Sequence, residues 1–178
     1  MAPGIPFAAG LAVVTALTSL CDVQTGLKWP NDVLAGGRKL AGILSEVEPG
    51  SASSGQVAIA LGLGLNISVD AFPDDVAATS LHLLTDHPPT AATLLAAWLD
   101  ALGDRLAILE SAGLAPVLNE WRSRAVGLGD RVTVSGPGGS FEGTAVDVGD
   151  DGALLVETGG KVRRVLAGDV HLGGTSVS

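Results

Sequence analysis

The sequence is poor in cysteine and in basic residues, and both shortages narrow what the protein can do. A single cysteine, Cys21, forms no intrachain disulfide and supports no cysteine-based metal site. This usage fits a reducing cytoplasm, and we expect Cys21 to be a small buried apolar residue. Only 10 Lys and Arg stand against 19 Asp and Glu, which gives a net charge of −9. Without a basic cluster that interrupts this balance, nucleic-acid binding has little electrostatic support.

The sequence also offers little that would direct it to a membrane. The apolar run over 7–20 is preceded by no Lys or Arg, so it lacks the positive region that begins a signal sequence. It is also shorter than the roughly 20 residues needed to span a bilayer. Because the run is apolar on all sides, it predicts a core helix that is buried on most of its surface.

The composition predicts a folded core. In 178 residues, a hydrophobic fraction of 47% and a charged fraction of 16% leave room for one core and a small second domain. The predicted elements are a helix over 6–21, strands over 26–29, 32–35, 39–48 and 56–68, a loop over 49–55, and helices over 90–111 and 115–125. The first of the two later helices is expected to bury one stripe, namely Leu95, Trp98, Leu99, Leu102, Leu106 and Leu109. The second is expected to bury Val117, Leu118, Trp121 and Ala125.

The pattern changes at Gly127, where helical stripes give way to short strands separated by glycine-rich turns. These strands are predicted over 131–135, 141–148, 153–157, 162–166 and 170–172. Five short strands in so few residues are typical of a small SH3-like barrel. Phe141 is the only aromatic residue of this part, so we expect no exposed aromatic groove for a peptide.

The most informative stretch runs from Lys28 to Glu48. It sets the charged or amide side chains of Lys28, Asn31, Asp32 and Lys39 among apolar neighbours, and unpaired buried charge is costly. The glycine pair 36–37 predicts a hairpin turn, which would bring Lys39 near the polar side chains of the first strand. The stretch is therefore either a hairpin with a surface ion pair between Asp32 and Lys39, or a functional site.

A second informative stretch is the strand over 57–67. One side carries large apolar residues, and the other carries only alanine and glycine before Asn66. Such a bare face either packs tightly against a helix or lets a flat ligand approach the backbone. Asn66 has both a donor and an acceptor and could read an adenine edge. The pattern of two glycines and an asparagine gives only weak support for a dinucleotide-binding motif.

The two histidines between the sheet and the long helix do not form a metal site by spacing. His82 and His87 have no third ligand placed to complete a zinc site, and we expect both on the surface. Just before them, Thr79 and Ser80 are interpreted as a turn or a helix cap.

Three motifs in order resemble one family. The sequence KWPND over 28–32, then GRKLAGIL over 37–44, then GLGLN over 62–66 resembles the catalytic domain of biotin protein ligases. The resemblance implies an α+β fold: a mixed-sheet, biotin/lipoate ligase-like catalytic core over 1–125, followed by an SH3-like barrel over 127–174. In the family, an Arg/Gly-rich loop that folds over biotin lies upstream of these motifs, so we expect a catalytic domain that is N-terminally incomplete.

The resemblance also implies a reaction and a set of roles. Family members attach biotin to a lysine of a biotin carboxyl carrier protein through biotinyl-AMP, using ATP and normally magnesium. Carried over by motif, Lys39 would contact the biotin carboxylate and the adenylate, and Asp32 would orient or deprotonate the acceptor lysine. The biotin walls and the nucleotide contacts are implied at further positions: Gly42, Leu44 and Gly62 for biotin, and Lys28, Asn31 and Asn66 for ATP. Lys28 and Asn31 would face the nucleotide phosphates or the metal, and the resemblance leaves the ligands of that metal open.

Two other functions remain open from the sequence. The chain could be a catalytically incomplete ligase fragment that at most binds biotin or ATP. It could also be a relative of the lipoate and octanoate ligases, which share a similar core, although GRKLAGIL and the following barrel favour biotin.

Overall fold

The computed structural model describes residues 4–48, 57–136 and 139–173. The elements follow in the predicted order, with ends that differ by a few residues. They are α1 (Ile5–Cys21), β1 (Gly26–Lys28), β2 (Asp32–Ala35), β3 (Arg38–Val47), β4 (Ile59–Leu65), a 3₁₀-helix (Leu81–Leu83), α2 (Ala91–Ala112), α3 (Leu114–Ser123), β5 (Arg131–Gly136), β6 (Gly139–Val148), β7 (Leu154–Thr158), β8 (Lys161–Val165) and β9 (Asp169–Leu172). The predicted loop over 49–55 lies outside the described residues.

The first sheet is antiparallel, with the strands in the order β1-β2-β3-β4. Its strands alternate between two faces, because side chains that are directly opposite in a ladder point to the same side. One face carries Val33, Ile43 and Leu63 and packs with α1 into the core. The predicted alternation of β4 is confirmed: its leucines are partly buried, and its alanine and glycines are exposed.

The helices cover the apolar face of this sheet. α1 is buried along most of its length, as its all-round hydrophobicity predicts. The stripe predicted for α2 is wrong at two positions, because Leu95 and Leu99 are each 52% exposed and Leu94 is buried instead. The buried line, Leu94, Trp98 and Leu102, advances four residues at a time, so its neighbours at 95 and 99 turn away from the core. None of the helices in the described residues is both long and apolar enough to cross a membrane.

The second sheet contains the five strands predicted after Gly127. They pair antiparallel in the order β8-β7-β6-β5-β9. Within the described residues β8 and β9 do not pair with each other, so hydrogen bonds do not close this SH3-like sheet into a complete barrel.

The two sheets share one continuous core. The indole Nε1–H of Trp29 donates to the carbonyl of Gly152 at 2.9 Å, which joins the turn after β1 to the turn before β7. Phe7 of α1 meets the ring of Trp121 edge-on, with 5.4 Å between centroids. Trp29, Trp98 and Trp121 are all buried, which confirms that the two helical tryptophans anchor the core.

Candidate active site on the open face of the first sheet

The second face of the first sheet collects most of the residues singled out in the sequence. In the register of the strands, Lys28 lies opposite Asp32, Asp32 opposite Gly42, and Gly42 opposite Gly64. The next row along β3 and β4 places Leu44 opposite Gly62. Because paired residues share a face, these side chains and bare positions all point to one side.

A cluster of three charged side chains forms one end of this face. The ammonium nitrogen of Lys28 lies 2.8 Å from Asp32 Oδ2, and that of Lys39 lies 2.5 Å from Asp32 Oδ1. The Asp32 side chain is 10% exposed and that of Lys28 is 19% exposed, whereas that of Lys39 is 50% exposed. The predicted ion pair between Asp32 and Lys39 is thus confirmed. It is not a simple surface pair, however, because the Asp32 carboxylate is buried and also pairs with Lys28. Two ammonium groups against one carboxylate leave an excess positive charge that suits an anion.

Gly42 gives Lys39 the room to reach Asp32. A Cβ atom at Gly42 would lie 3.3 Å from both Cε and Nζ of Lys39, tighter than an ordinary van der Waals contact. The lysine therefore folds back across its own strand over a position without a side chain. Gly42 lies three residues after Lys39 in the same strand, so the lysine side chain can pass over it to reach Asp32.

The rest of the face is a bare floor. Cβ atoms built at Gly62 and Gly64 would come no nearer than 3.9 Å to any atom of the described residues. The alternative of tight strand–helix packing on this side is therefore wrong for the part of the chain that the structure describes. Leu44, 58% exposed, stands beside Gly62 as an apolar wall, so a flat apolar group could lie against the backbone here.

The polar turn between β1 and β2 is fastened to β3. Asn31 Nδ2 donates to the carbonyl of Ile43 at 2.6 Å, and the Ile43 N–H donates to the Asn31 carbonyl at 2.9 Å. These two bonds hold the turn at the edge of the charged cluster. The side-chain bond uses one of the two amide hydrogens of Asn31, which leaves the second N–H and the side-chain oxygen for other partners.

Asn66 connects the end of β4 to a segment whose role the sequence did not reveal. Its Nδ2 donates to the carbonyl of Thr79 at 3.0 Å. Thr79 and its neighbours pair with Lys39: the Lys39 N–H donates to Ala77 at 2.9 Å, and the Thr79 N–H donates to the Lys39 carbonyl at 2.9 Å. Both backbone hydrogen-bonding groups of Lys39 are thus bonded to this segment, on the side away from its neighbour Leu34 in β2. The only sequence signal was the pair Thr79–Ser80, whose side chains are buried and do more than end a turn.

The loop before this segment is closed by a chain of polar contacts. Ser80 Oγ donates to the carbonyl of Val69 at 2.7 Å and lies 2.9 Å from His82 Nδ1. His82 Nε2 lies 3.1 Å from Asp70 Oδ1. His82 is thus half-buried at the surface, with two partners of which Asp70 is exposed, and His87 is exposed.

Comparison with known proteins identifies relatives over both parts of the chain. Residues 3–66 match the model of the biotin/lipoate A/B protein ligase family. Residues 127–173 match the model of the biotin protein ligase C-terminal domain. Every residue of the charged cluster and the bare floor falls within the first match.

Several bacterial proteins are similar along nearly the whole chain. A biotin–[acetyl-CoA-carboxylase] ligase of Mycobacterium tuberculosis is 40% identical over 173 residues, covering 94% of this chain and 62% of its own length. A ligase of the same name from Paracoccus denitrificans is 32% identical, covering 96% of this chain and 73% of its own length. Against the bifunctional ligase/repressor BirA of Bacillus subtilis, which is 31% identical, this chain spans 53% of the relative's length. The chain thus spans between about half and three quarters of the length of these relatives.

Solved structures agree with this comparison. The crystal structure of the biotin protein ligase from Aquifex aeolicus superposes with a TM-score of 0.84 at 25% identity, covering 97% of this chain and 75% of that one. The same protein in complex with biotin and ATP superposes with a TM-score of 0.81, covering 96% of this chain and 71% of that one.

Proposed function

This chain belongs to the biotin protein ligase family, and we propose that it carries the family's two-step chemistry. In the first step a biotin carboxylate oxygen attacks the α-phosphorus of ATP, which releases pyrophosphate and forms biotinyl-AMP. In the second step a lysine amine of a biotin carboxyl carrier protein attacks the acyl carbon, and AMP leaves. The observation that carries this proposal is the cluster of Lys28, Asp32 and Lys39 at the end of a bare glycine floor.

The first step needs positive charge where two anions meet. Lys39 supplies it, because its side chain is half exposed and its backbone N–H and carbonyl are bonded to Ala77 and Thr79. Preorganised cationic donors lower the energy of charge that develops at phosphorus. In this proposal Lys39 turns from Asp32 to the biotin carboxylate, and then to the carbonyl and phosphate oxygens of biotinyl-AMP.

The second step needs a proton acceptor for the incoming amine. Asp32 lies on the same face and is buried beside Lys39. As Lys39 moves to the adenylate, the Oδ1 atom of Asp32 becomes available to the acceptor lysine, while Oδ2 stays paired with Lys28. A positioned carboxylate within hydrogen-bond reach of the amine is what general base catalysis requires.

The remaining roles follow the shape of the face. Gly42, Leu44 and Gly62 form the floor and wall against which biotin lies in this proposal. Lys28 faces the nucleotide phosphates, and Asn31 offers them the second N–H of its amide, since the first is bonded to Ile43.

Asn66 is proposed to meet the adenine. It has its Nδ2 committed to Thr79, so its oxygen is the atom left to accept a hydrogen bond from the adenine amino group. A two-sided contact would require the bond to Thr79 to open.

A magnesium ion held by the protein's own carboxylates does not fit this arrangement. Among the described residues no three His, Cys, Asp or Glu side chains come together. Both oxygens of Asp32 face ammonium groups, and Mg²⁺ in nucleotide sites is bound largely by phosphates and water. Magnesium therefore stays a prediction for the ATP complex, and neither step above depends on it.

The test is a pyrophosphate-release assay with the purified chain, ATP, magnesium and biotin, followed by transfer to an apo carrier domain. We expect biotin-dependent release and biotin on the carrier lysine, and we expect lipoate to give no release. Absence of release by well-folded protein would contradict the proposal, and release with lipoate alone would replace biotin as the substrate. A cytoplasmic location, where carrier proteins are biotinylated, is part of the same proposal.

A further inference from the structure

A groove on the second sheet lies far in sequence from the charged cluster. It runs between the end of the β5–β6 hairpin and β8, where hydrogen bonds do not close the sheet. Its volume is about 310 Å³, at the lower end of the range of ligand pockets. Its lining residues include Val134, Phe141, Arg163, Arg164 and Leu166. An inference about this groove does not rest on the ligase chemistry.

The strand that borders the groove concentrates positive charge in an acidic protein. Three of the chain's 10 basic residues fall within four consecutive positions of β8, namely Lys161, Arg163 and Arg164. All three are exposed. The expectation that no basic cluster interrupts the acidic composition is therefore wrong at this strand. The cluster is only four residues long, and the net charge of the whole chain is dominated by its 19 acidic residues.

Arg163 is the cation best prepared to receive a ligand. Its guanidinium carbon lies 3.8 Å from the centre of the Phe141 ring, so stacking fixes the side chain in place. Arg164, by contrast, is paired with Asp151. No carboxylate of the described residues lies within ion-pair distance of Arg163, so the donors at the edge of its plane remain available for a carboxylate.

The free edge of β8 adds a second kind of contact. β8 pairs with β7 on one side, and within the described residues its other edge has no strand partner. An unpaired edge presents backbone N–H and C=O groups to a further strand. Two copies of β8 would bring like charges together, whereas an acidic strand would be attracted.

We propose that this groove binds an extended, acidic segment of a partner protein. The segment adds to the free edge of β8, and one of its carboxylates forms a forked pair with Arg163. An apolar side chain two positions along lies over Phe141 and against Leu166, which is 77% exposed. Side chains two apart in a strand point to the same side, so a segment that alternates acidic and apolar residues along one face supplies both contacts.

The probe is a nine-residue peptide. Its odd positions, which share one face of a strand, carry glutamate and valine in turn, and its even positions carry serine. Its binding to the full chain is measured by isothermal titration calorimetry at low and at physiological salt. We expect binding that weakens with salt, and about tenfold weaker binding by Arg163→Gln because the forked, charge-assisted pair is lost. The matched control is Arg131→Gln, an exposed arginine of the same sheet that pairs with Glu142 outside the groove. It should bind within about twofold of the parent chain, as a change outside the interface should.

Three further measurements separate the proposal from its competitors. A peptide with the glutamates replaced by lysine should not bind, and N-methylation of every second amide should abolish binding if the backbone pairs with β8. Competition by inorganic phosphate as effective as by the peptide would overturn the proposal in favour of a simple anion site. If Arg131→Gln and Arg163→Gln weakened peptide binding equally, the effect would come from net charge and the proposed contact with Arg163 would be wrong. Loss of a dimer on Arg163→Gln, with no peptide binding, would make a second copy the occupant.

Discussion

Replacing Lys39 with methionine tests the central assignment, because it removes the charge while keeping most of the side-chain stem. The substitution should leave the fold intact. The lysine side chain is 50% exposed, and Asp32 keeps Lys28 at 2.8 Å after the change. One oxygen of the buried Asp32 carboxylate loses its partner, so we expect the free energy of unfolding to fall by about 1–3 kcal/mol.

The effect on adenylate formation should be far larger. Removing one preorganised donor to a developing negative charge typically lowers kcat by about 10²- to 10³-fold, or roughly 3–4 kcal/mol. The structure places no other half-exposed ammonium group against Asp32 in the described residues, since Lys28 is mostly buried. We therefore expect biotin-dependent pyrophosphate release to fall by about 10²-fold or more in Lys39→Met.

The assay pairs pyrophosphate release with urea unfolding on the same preparations. Arg131→Met serves as the control, because it also removes an exposed cation from an ion pair, that with Glu142 at 3.2 Å. Because both ends of its pair are exposed, it should lose no more than about 1 kcal/mol of stability and keep its activity. If Lys39→Met released pyrophosphate within threefold of the parent chain, Lys39 would not supply the charge. If it unfolded the protein, the lysine would be structural.

Three other substitutions probe the same face and its support. Asp32→Asn should slow transfer to the carrier lysine by about 10²-fold or more while slowing pyrophosphate release less, since a general base acts on the amine; equal slowing of both steps would refute that role. Trp29→Phe leaves the buried Gly152 carbonyl without its donor and should cost about 1–3 kcal/mol in urea unfolding. Trp98→Phe, which loses a bond to the α1 backbone instead, should cost a similar amount but leave the KM for ATP unchanged, whereas Trp29→Phe should raise it. Gly62→Val has space for its side chain and should change stability by less than about 1 kcal/mol, yet weaken biotin binding at least tenfold by calorimetry. Ala60→Val, one row farther along the same face, should bind biotin normally.

The charged cluster was predictable because its contacts are local in sequence. The glycine pair 36–37 sets the hairpin, and a two-residue turn fixes the register of the strands that it joins. That register sets Lys39 opposite Leu34, two residues from Asp32, and the side chain covers the remaining distance to the 2.5 Å contact. The alternation of β4 is equally local, since a strand period of two residues assigns each side chain to a face.

What the sequence could not predict depends on contacts between distant residues. The hydrogen bond from Trp29 to Gly152 joins positions 123 residues apart, and no periodic pattern in the sequence predicts such a contact. The pairing of Thr79 with Lys39 is of the same kind, because it uses backbone groups that every residue has. The wrong prediction for Leu95 and Leu99 shows a related limit. The apolar stripe of α2 is wider than the surface that contacts the core, so the pattern alone does not show which edge of the stripe is buried.

The sharing of Lys39 between Asp32 and an anion gives the proposed steps an order. A half-exposed ion pair is weak, so a bound adenylate with its phosphate negative charge can draw Lys39 away from Asp32 at little cost. The pair of Asp32 with Lys28 is more buried, with side chains 10% and 19% exposed, and breaking it would leave an uncompensated charge out of water. Lys39 is therefore the lysine that moves, and Lys28 is the lysine that stays paired with Asp32. Asp32 becomes available to an incoming amine when the adenylate occupies Lys39, which disfavours contact with an acceptor lysine before the acyl group is activated. On this reasoning Asp32→Asn should hold biotinyl-AMP at least as tightly as the parent chain, because the competitor for Lys39 is weakened, and calorimetry showing much weaker binding would contradict the order.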